Sequence, residues 1–137
     1  MSYLEHLEKV ECAPLFSLNG HKTKAKVIKV YDGDSITVIF DYCGKYFSWK
    51  CRLIGIDTPE IRGSSEPEKK LAIKARDYLR SLILHKVVDL ECFKFDKYGR
   101  LLVDVRTDDT VGTVNELMIS KDYAKPYDGG TKQKWGK

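Results

Sequence analysis

The sequence predicts an α+β fold: a five-stranded OB-fold β-barrel, with a helix after strand 3 and a short helix after strand 5. Three observations carry this. Five short stretches rich in β-branched and aromatic residues are separated by turn residues, the pattern of short strands. One segment with helical periodicity and capping signals interrupts them after the third stretch. A second capping signal follows the fifth. The order strand, strand, strand, helix, strand, strand, helix suggests a barrel closed on itself, the oligonucleotide-binding architecture. Fold alone does not give function, but this one raises the weight on nucleic acid as a partner.

Each element has a local reason. Residues 1–21 read as an arm: Leu4, Leu7 and Val10 form a short amphipathic piece, and Pro14 and Asn19-Gly20 break it. The first strand, 22–31, is rich in lysine, and Asp32-Gly33-Asp34 is a turn. Over 35–40 the chain alternates, with Ile36, Val38 and Phe40 on one face. Cys43-Gly44-Lys45 closes a hairpin into a third strand, 46–56. Ser65-Glu66-Pro67-Glu68 has the form of a capping box with proline in the first turn. Leu71, Ala75, Tyr78 and Leu82 follow at helical spacing as its apolar face. Strands 86–93 and 100–106 flank the polar turn 94–99, and Thr113-Val114-Asn115-Glu116 is a second capping box. The expected organisation is an arm over 1–21, one barrel domain over 22–127, and a tail over 128–137.

Composition sets bounds. The 137 residues fit one domain with a core of its own. No run approaches the roughly 20 apolar residues of a membrane helix, so no membrane partner is expected. The first residues lack a basic region followed by an apolar one, so an intracellular location is the expectation. The net charge of +4 is compatible with a polyanionic partner and equally with a solvated lysine surface. Cys12, Cys43, Cys51 and Cys92 form no C-x-x-C pair and have no metal-ligand spacing with a histidine. Free thiols are expected, with a Cys43–Cys51 pair across the hairpin left open. His6, His21 and His85 are scattered and read as surface residues.

The chemistry gathers at the strand ends. If strands two and three pair as a hairpin, the start of one lies beside the end of the other. Asp34 then meets Asp57, and the Thr58-Pro59 turn carries Glu60 to the same place. Three carboxylates at one point repel unless a cation lies between them. Hard oxygen ligands select calcium, magnesium or manganese over zinc. An EF-hand is excluded, because its fifth and sixth positions would be Ile36 and Thr37. The bland reading is that Asp32 and Gly33 only form a turn and that Asp57 and Glu60 lie on a solvated loop. Arg52, before the apolar run, and Arg100, after the turn at 96–99, shift the balance. Guanidinium groups grip phosphate with two prongs and offset the charge of a pentacoordinate transition state. Glu60 is placed to position or deprotonate an attacking water. Arg62 reads as a surface residue.

Four segments in this order closely resemble the staphylococcal nuclease (thermonuclease-like) family: Val30-Tyr31-Asp32-Gly33-Asp34-Ser35; Arg52 through Glu60; Asp96-Lys97-Tyr98-Gly99-Arg100-Leu101; and Val114-Asn115-Glu116. The resemblance spans residues 24–127. It implies a calcium-dependent nuclease on an oligonucleotide-binding barrel, acting on DNA and RNA with little sequence preference and leaving 3′-phosphates. It implies that Asp34, Asp57 and the Thr58 carbonyl bind calcium. Arg52, Glu60 and Arg100 are then catalytic, Lys97 and Tyr98 contact the neighbouring phosphate, and Tyr127 stacks on a base. A monomer is expected. Ser35 stands where threonine is common, the loop after Glu60 is short, and the chain ends soon after its second helix, where bacterial members carry a third. The rival reading is a noncatalytic nucleic-acid-binding or interaction module. Such a module has no need of Asp34, Arg52, Asp57, Glu60 and Arg100 together.

Overall fold

The structure, a computed structural model, describes residues 2–62 and 65–130. The end of the expected tail, 131–137, lies outside the described residues. Five strands close a barrel in the order β1-β2-β3-β6-β5: β1 (Lys22–Asp32), β2 (Ser35–Tyr42), β3 (Lys45–Leu53), β5 (Val87–Phe95) and β6 (Leu101–Arg106). Helix α1 (Tyr3–Lys9) precedes the barrel, α2 (Glu66–Ile83) follows β3, and α3 (Val114–Ser120) follows β6. Among the described residues no helix is long and apolar enough to cross a membrane.

The third strand differs from its expected span. It ends at Leu53, turns at Ile54-Gly55, and resumes as β4 (Ile56–Asp57), which pairs with β7 (Lys125–Pro126). Gly55 has φ +82°, a left-handed conformation that favours glycine and breaks a strand. The break re-aims the chain, so Asp57 leaves the barrel wall instead of continuing along it.

Barrel closure comes from alternation. Val27, Val30, Val38, Phe40, Leu53 and Val103 point inward and are almost fully buried. β3 and β6 pair in parallel, with Leu53 opposite Val103, while the other barrel pairs are antiparallel. The arm is stitched on at its end: Leu18 is buried, and Gly20 N–H donates to the Cys92 carbonyl at 2.8 Å. His21 is not a plain surface residue. Its ring packs against Phe40 and Tyr42.

Helix α2 buries Ala72, Ala75, Leu79 and Ile83; of the expected stripe Ala75 is buried and Tyr78 and Leu82 pack half-buried against the core, while Leu71 is exposed. Close approach decides this face. A Cβ on Gly33 would lie 2.9 Å from Thr58 Cγ2 and 3.0 Å from Ala75 Cβ. Only small residues let the β1–β2 turn, the Thr58 segment and α2 meet there. Arg80, also on α2, donates Nε and Nη2 to the Val30 carbonyl at 3.3 and 3.1 Å, at the irregularity where β1 bends toward the turn.

The second capping box forms as expected, with Thr113 and Glu116 bonding reciprocally. Buried Asn115 ties the turn after β3 to β6: its Nδ2 donates to the Ile54 and Val103 carbonyls, and its Oδ1 accepts from Val105 N–H. The four cysteines are free. Cys43 sits exposed in the hairpin turn with φ +52°, whereas Cys51 is buried near the other end of β3, opposite Ile36, so the two do not pair across the hairpin.

Candidate active site

The β2–β3 register puts Ser35 opposite Arg52, and Leu53 N–H donates to the Asp34 carbonyl at 2.8 Å. The start of β2 and the end of β3 are therefore side by side. Arg52 reaches between the acids. Its Nη2 lies 3.1 Å from Asp34 Oδ2, 3.5 Å from Asp57 Oδ1 and 3.1 Å from the Ile56 carbonyl. All three side chains are at least nine-tenths buried. In such a setting a charge must be compensated, and one guanidinium serves both carboxylates.

Asp32 adds a third buried acid. Its Oδ1 accepts the Asp34 N–H at 3.1 Å, so it does make the turn. It also lines the cavity beside Asp34. Burial first, and then the Asp34 charge, push the Asp32 carboxyl up to about 7.

A cavity of about 120 Å³ opens over this centre, with Asp34, Arg52, Glu60 and Arg100 all on its wall. Arg62 is exposed, as expected of a surface residue, and it also stands on the wall of this cavity. Asp57, in contact with Arg52, and Thr58 are buried, at 4 % and 2 % exposure. Glu60 is exposed, and its N–H donates to Glu68 Oε2 at 3.2 Å. The first capping box is thus only half formed. Ser65 Oγ accepts from Glu68 N–H, but the Glu68 carboxylate reaches across to the Glu60 loop instead of back to its own cap.

Arg100 is oriented from behind. Its Nε donates to Asp96 Oδ2 at 2.8 Å, while Asp96 Oδ1 accepts the N–H groups of Tyr98 and Arg100. Partial burial raises the Asp96 carboxyl, but these hydrogen bonds and the Arg100 charge outweigh it and hold the group below its ordinary value. Tyr98 is exposed, with Lys97 Nζ and Arg100 Cζ at 5.2 and 5.5 Å from its ring centre. Tyr127 lies 5.1 Å from Arg52 Cζ, and its N–H donates to the Gly55 carbonyl. The structure therefore brings Tyr127 against an arginine of the centre.

The residues fit a hard cation in part. Asp34 and Asp57 converge on Arg52, and among the described residues the cavity wall carries no sulfur or imidazole and the buried Thr58 Oγ1 has no hydrogen-bond partner. Glu60 is not gathered with them. Among the described residues no three acid, histidine or cysteine side chains come close enough to hold one ion together. A site of two aspartates completed by carbonyl and water oxygens is the arrangement these residues allow.

The model of the staphylococcal nuclease homologue family matches residues 50–135. The chain belongs to that family. A thermonuclease of Staphylococcus hyicus is 37% identical over 64% of the chain and 50% of its own length. An uncharacterized endonuclease of Escherichia coli is 30% identical, over 75% of the chain and 60% of its own length. An uncharacterized protein of Methanocaldococcus jannaschii is 32% identical, over 74% and 58%. The chain thus spans only about half to three-fifths of these relatives. For a member of this family, the matched region takes in Arg52, Asp57, Glu60 and Arg100, while Asp34 lies before it and joins the site through the β2–β3 register.

Sequence reasoning missed Tyr31, Asp32, Ser35 and Arg62 as cavity residues. For Asp32 a signal was available. An acid two residues before another, across a glycine, is held close to it by the turn.

Proposed function

We propose that the chain is a calcium-dependent nuclease that hydrolyses phosphodiester bonds in DNA and RNA with little sequence preference, leaving 3′-phosphate ends. The observation that carries this is one small cavity walled by Arg52, Arg100, Glu60 and Asp34. Two guanidinium groups line a space of phosphate size, with the Glu60 carboxylate beside them and buried aspartates against Arg52.

Each residue has a step. The contacts of Arg52 to the acids use Nη2, which leaves Nε and Nη1 to donate to phosphate. Asp96 fixes Nε of Arg100 and leaves both of its terminal nitrogens for the same phosphate. Together the two arginines offset the charge that grows as phosphorus becomes pentacoordinate. Glu60 positions a water and accepts its proton as the oxygen attacks phosphorus. The bond from phosphorus to the 5′ oxygen breaks, that oxygen takes up a proton, and the phosphate stays on the 3′ end. A calcium ion bound by Asp34, Asp57 and the Thr58 carbonyl would supply positive charge against the phosphoryl oxygens. Lys97 and Tyr98 serve the neighbouring phosphate. Tyr127 serves as a stacking face, which accepts any base.

The test is cleavage of labelled single-stranded DNA and RNA with calcium, with magnesium and with chelator. Calcium-dependent loss of substrate to 3′-phosphate products is expected. Tight binding without cleavage under all three conditions would overturn the reading in favour of a noncatalytic binding module.

A further inference from the structure

A second cavity, about 370 Å³, adjoins the first and shares Tyr31, Asp32, Ser35 and Arg100 with it. It runs along the outer face of β1, β2 and β3, and its remaining wall includes Lys29, Thr37 and Lys50. The register explains why these meet. Lys29 lies opposite Thr37, and Thr37 lies opposite Lys50, so two lysines flank one threonine in a single row across three strands. The row nearer the catalytic cavity holds Asp32, Ser35 and Arg52. Two residues along a strand separate the rows by about 7 Å, comparable with one nucleotide step of an extended single strand.

Both lysines are exposed, and neither forms an ion pair among the described residues. Lys24, on the same strand, is by contrast engaged with Asp89 at 2.8 Å. Tyr31 is 55% exposed and shares the outward face of β1 with Lys29. A pair of ammonium groups one nucleotide step from a phosphate-sized cavity, with an aromatic ring beside them, matches the chemistry of a flanking nucleotide: charge for its phosphate, a π-face for its base.

We infer that the outer face of β1–β3 is a binding subsite for the nucleotide adjoining the scissile phosphate of a single-stranded nucleic acid, with its phosphate between Lys29 and Lys50 and its base against Tyr31. This subsite rests on the nuclease reading for its register. It is separate from Lys97 and Tyr98, which lie in the turn joining β5 and β6. The phosphate contacts give the strand its position, and the ring gives no base preference.

The test measures binding apart from chemistry. A fluorescein-labelled single strand of about eight nucleotides is titrated by anisotropy in chelator, with wild type and with the double variant K29A/K50A. The dissociation constant is expected to rise about tenfold in the variant, with the salt slope reduced by about 0.7 for each phosphate that the variant leaves unneutralised. The control K22A/K26A removes the same charge from the far part of β1 and is expected to change binding less than twofold. Y31A should weaken binding about fivefold and Y31F should restore it, because the phenyl ring keeps the stacking face. Thermal melts of each variant check folding. Equal losses in K29A/K50A and K22A/K26A, or Y31F as weak as Y31A, would overturn the subsite. Wild type that binds the strand but does not cut it with calcium would overturn the nuclease reading instead, and the variant comparison still decides the subsite.

Discussion

Arg52 and Arg100 wall the same cavity but are held in opposite ways. Arg52 is 8% exposed and braced by Asp34, Asp57 and the Ile56 carbonyl, so it compensates buried charge as well as facing the cavity. Arg100 is partly exposed and is held by Asp96, with the Tyr98 ring beside it, at the edge of a turn. One arginine belongs to the fold and to the site; the other belongs to the site and is merely aimed by the fold. The difference lies in burial. A charge in the interior cannot be removed without leaving its partners uncompensated in an apolar setting, whereas a charge at the rim leaves its partner to water.

The largest effect that tests this contrast is on stability. Arg52→Met should cost about 3–5 kcal/mol in urea unfolding, because it removes the guanidinium that offsets the buried charges of Asp34 and Asp57. Calcium should recover part of that loss. Arg100→Met should cost far less, and equal losses would break the comparison. Next come changes that act on chemistry with little effect on stability. Glu60→Gln should lower kcat about 10²–10⁴-fold while calorimetry still detects calcium binding. Arg100→Lys should also fail in turnover, since lysine cannot make a two-pronged contact. Near-normal rates would remove either residue from the chemistry. Gly33→Ala sharpens the structural side. Its added methyl meets Thr58 and Ala75 at 2.9 and 3.0 Å, so a loss of about 1–3 kcal/mol is expected.

The smallest effect is a pH dependence. The Asp32 carboxyl is raised to about 7, above its ordinary 3.8. A raised folded-state value means the folded protein holds this proton more tightly than the unfolded chain. Its contribution is full below 3.8 and is lost as pH rises through about 7. Chelated protein should therefore lose stability across that window, and Asp32→Asn should flatten the slope. An unchanged slope in urea unfolding against pH would remove Asp32 as its source.

Much of this was legible in the chain. Alternation of Ile36, Val38 and Phe40 set the inward face of β2, and the hairpin at 43–45 set its partner, so the meeting of Asp34 with Arg52 and Asp57 followed from register. The second capping box was legible because Thr113 and Glu116 interact locally. The first was half legible: Ser65 caps its helix, but Glu68 is drawn to the Glu60 backbone by a neighbour that only folding supplies. The buried face of α2 was legible at Ala75 and in part at Tyr78 and Leu82, but not at Leu71, which looks apolar in sequence and is exposed, while the small Ala75 is what fits against Gly33.

What the sequence determined by itself was the strand order, the pairing of β2 with β3, and hence the clustering of acids and arginines at the strand ends. These depend on side-chain period and on short turns, which are local properties of the chain. Only the tertiary structure decided that Arg52 is buried between two aspartates while Arg100 stays at the rim. The tertiary structure also raised Asp32 and gathered Lys29 and Lys50 into one row beside the cavity, with Tyr31 next to them. Burial and desolvation arise from closing the barrel, and the lysine row needs the registers of three successive strands at once, so no window along the chain contains them.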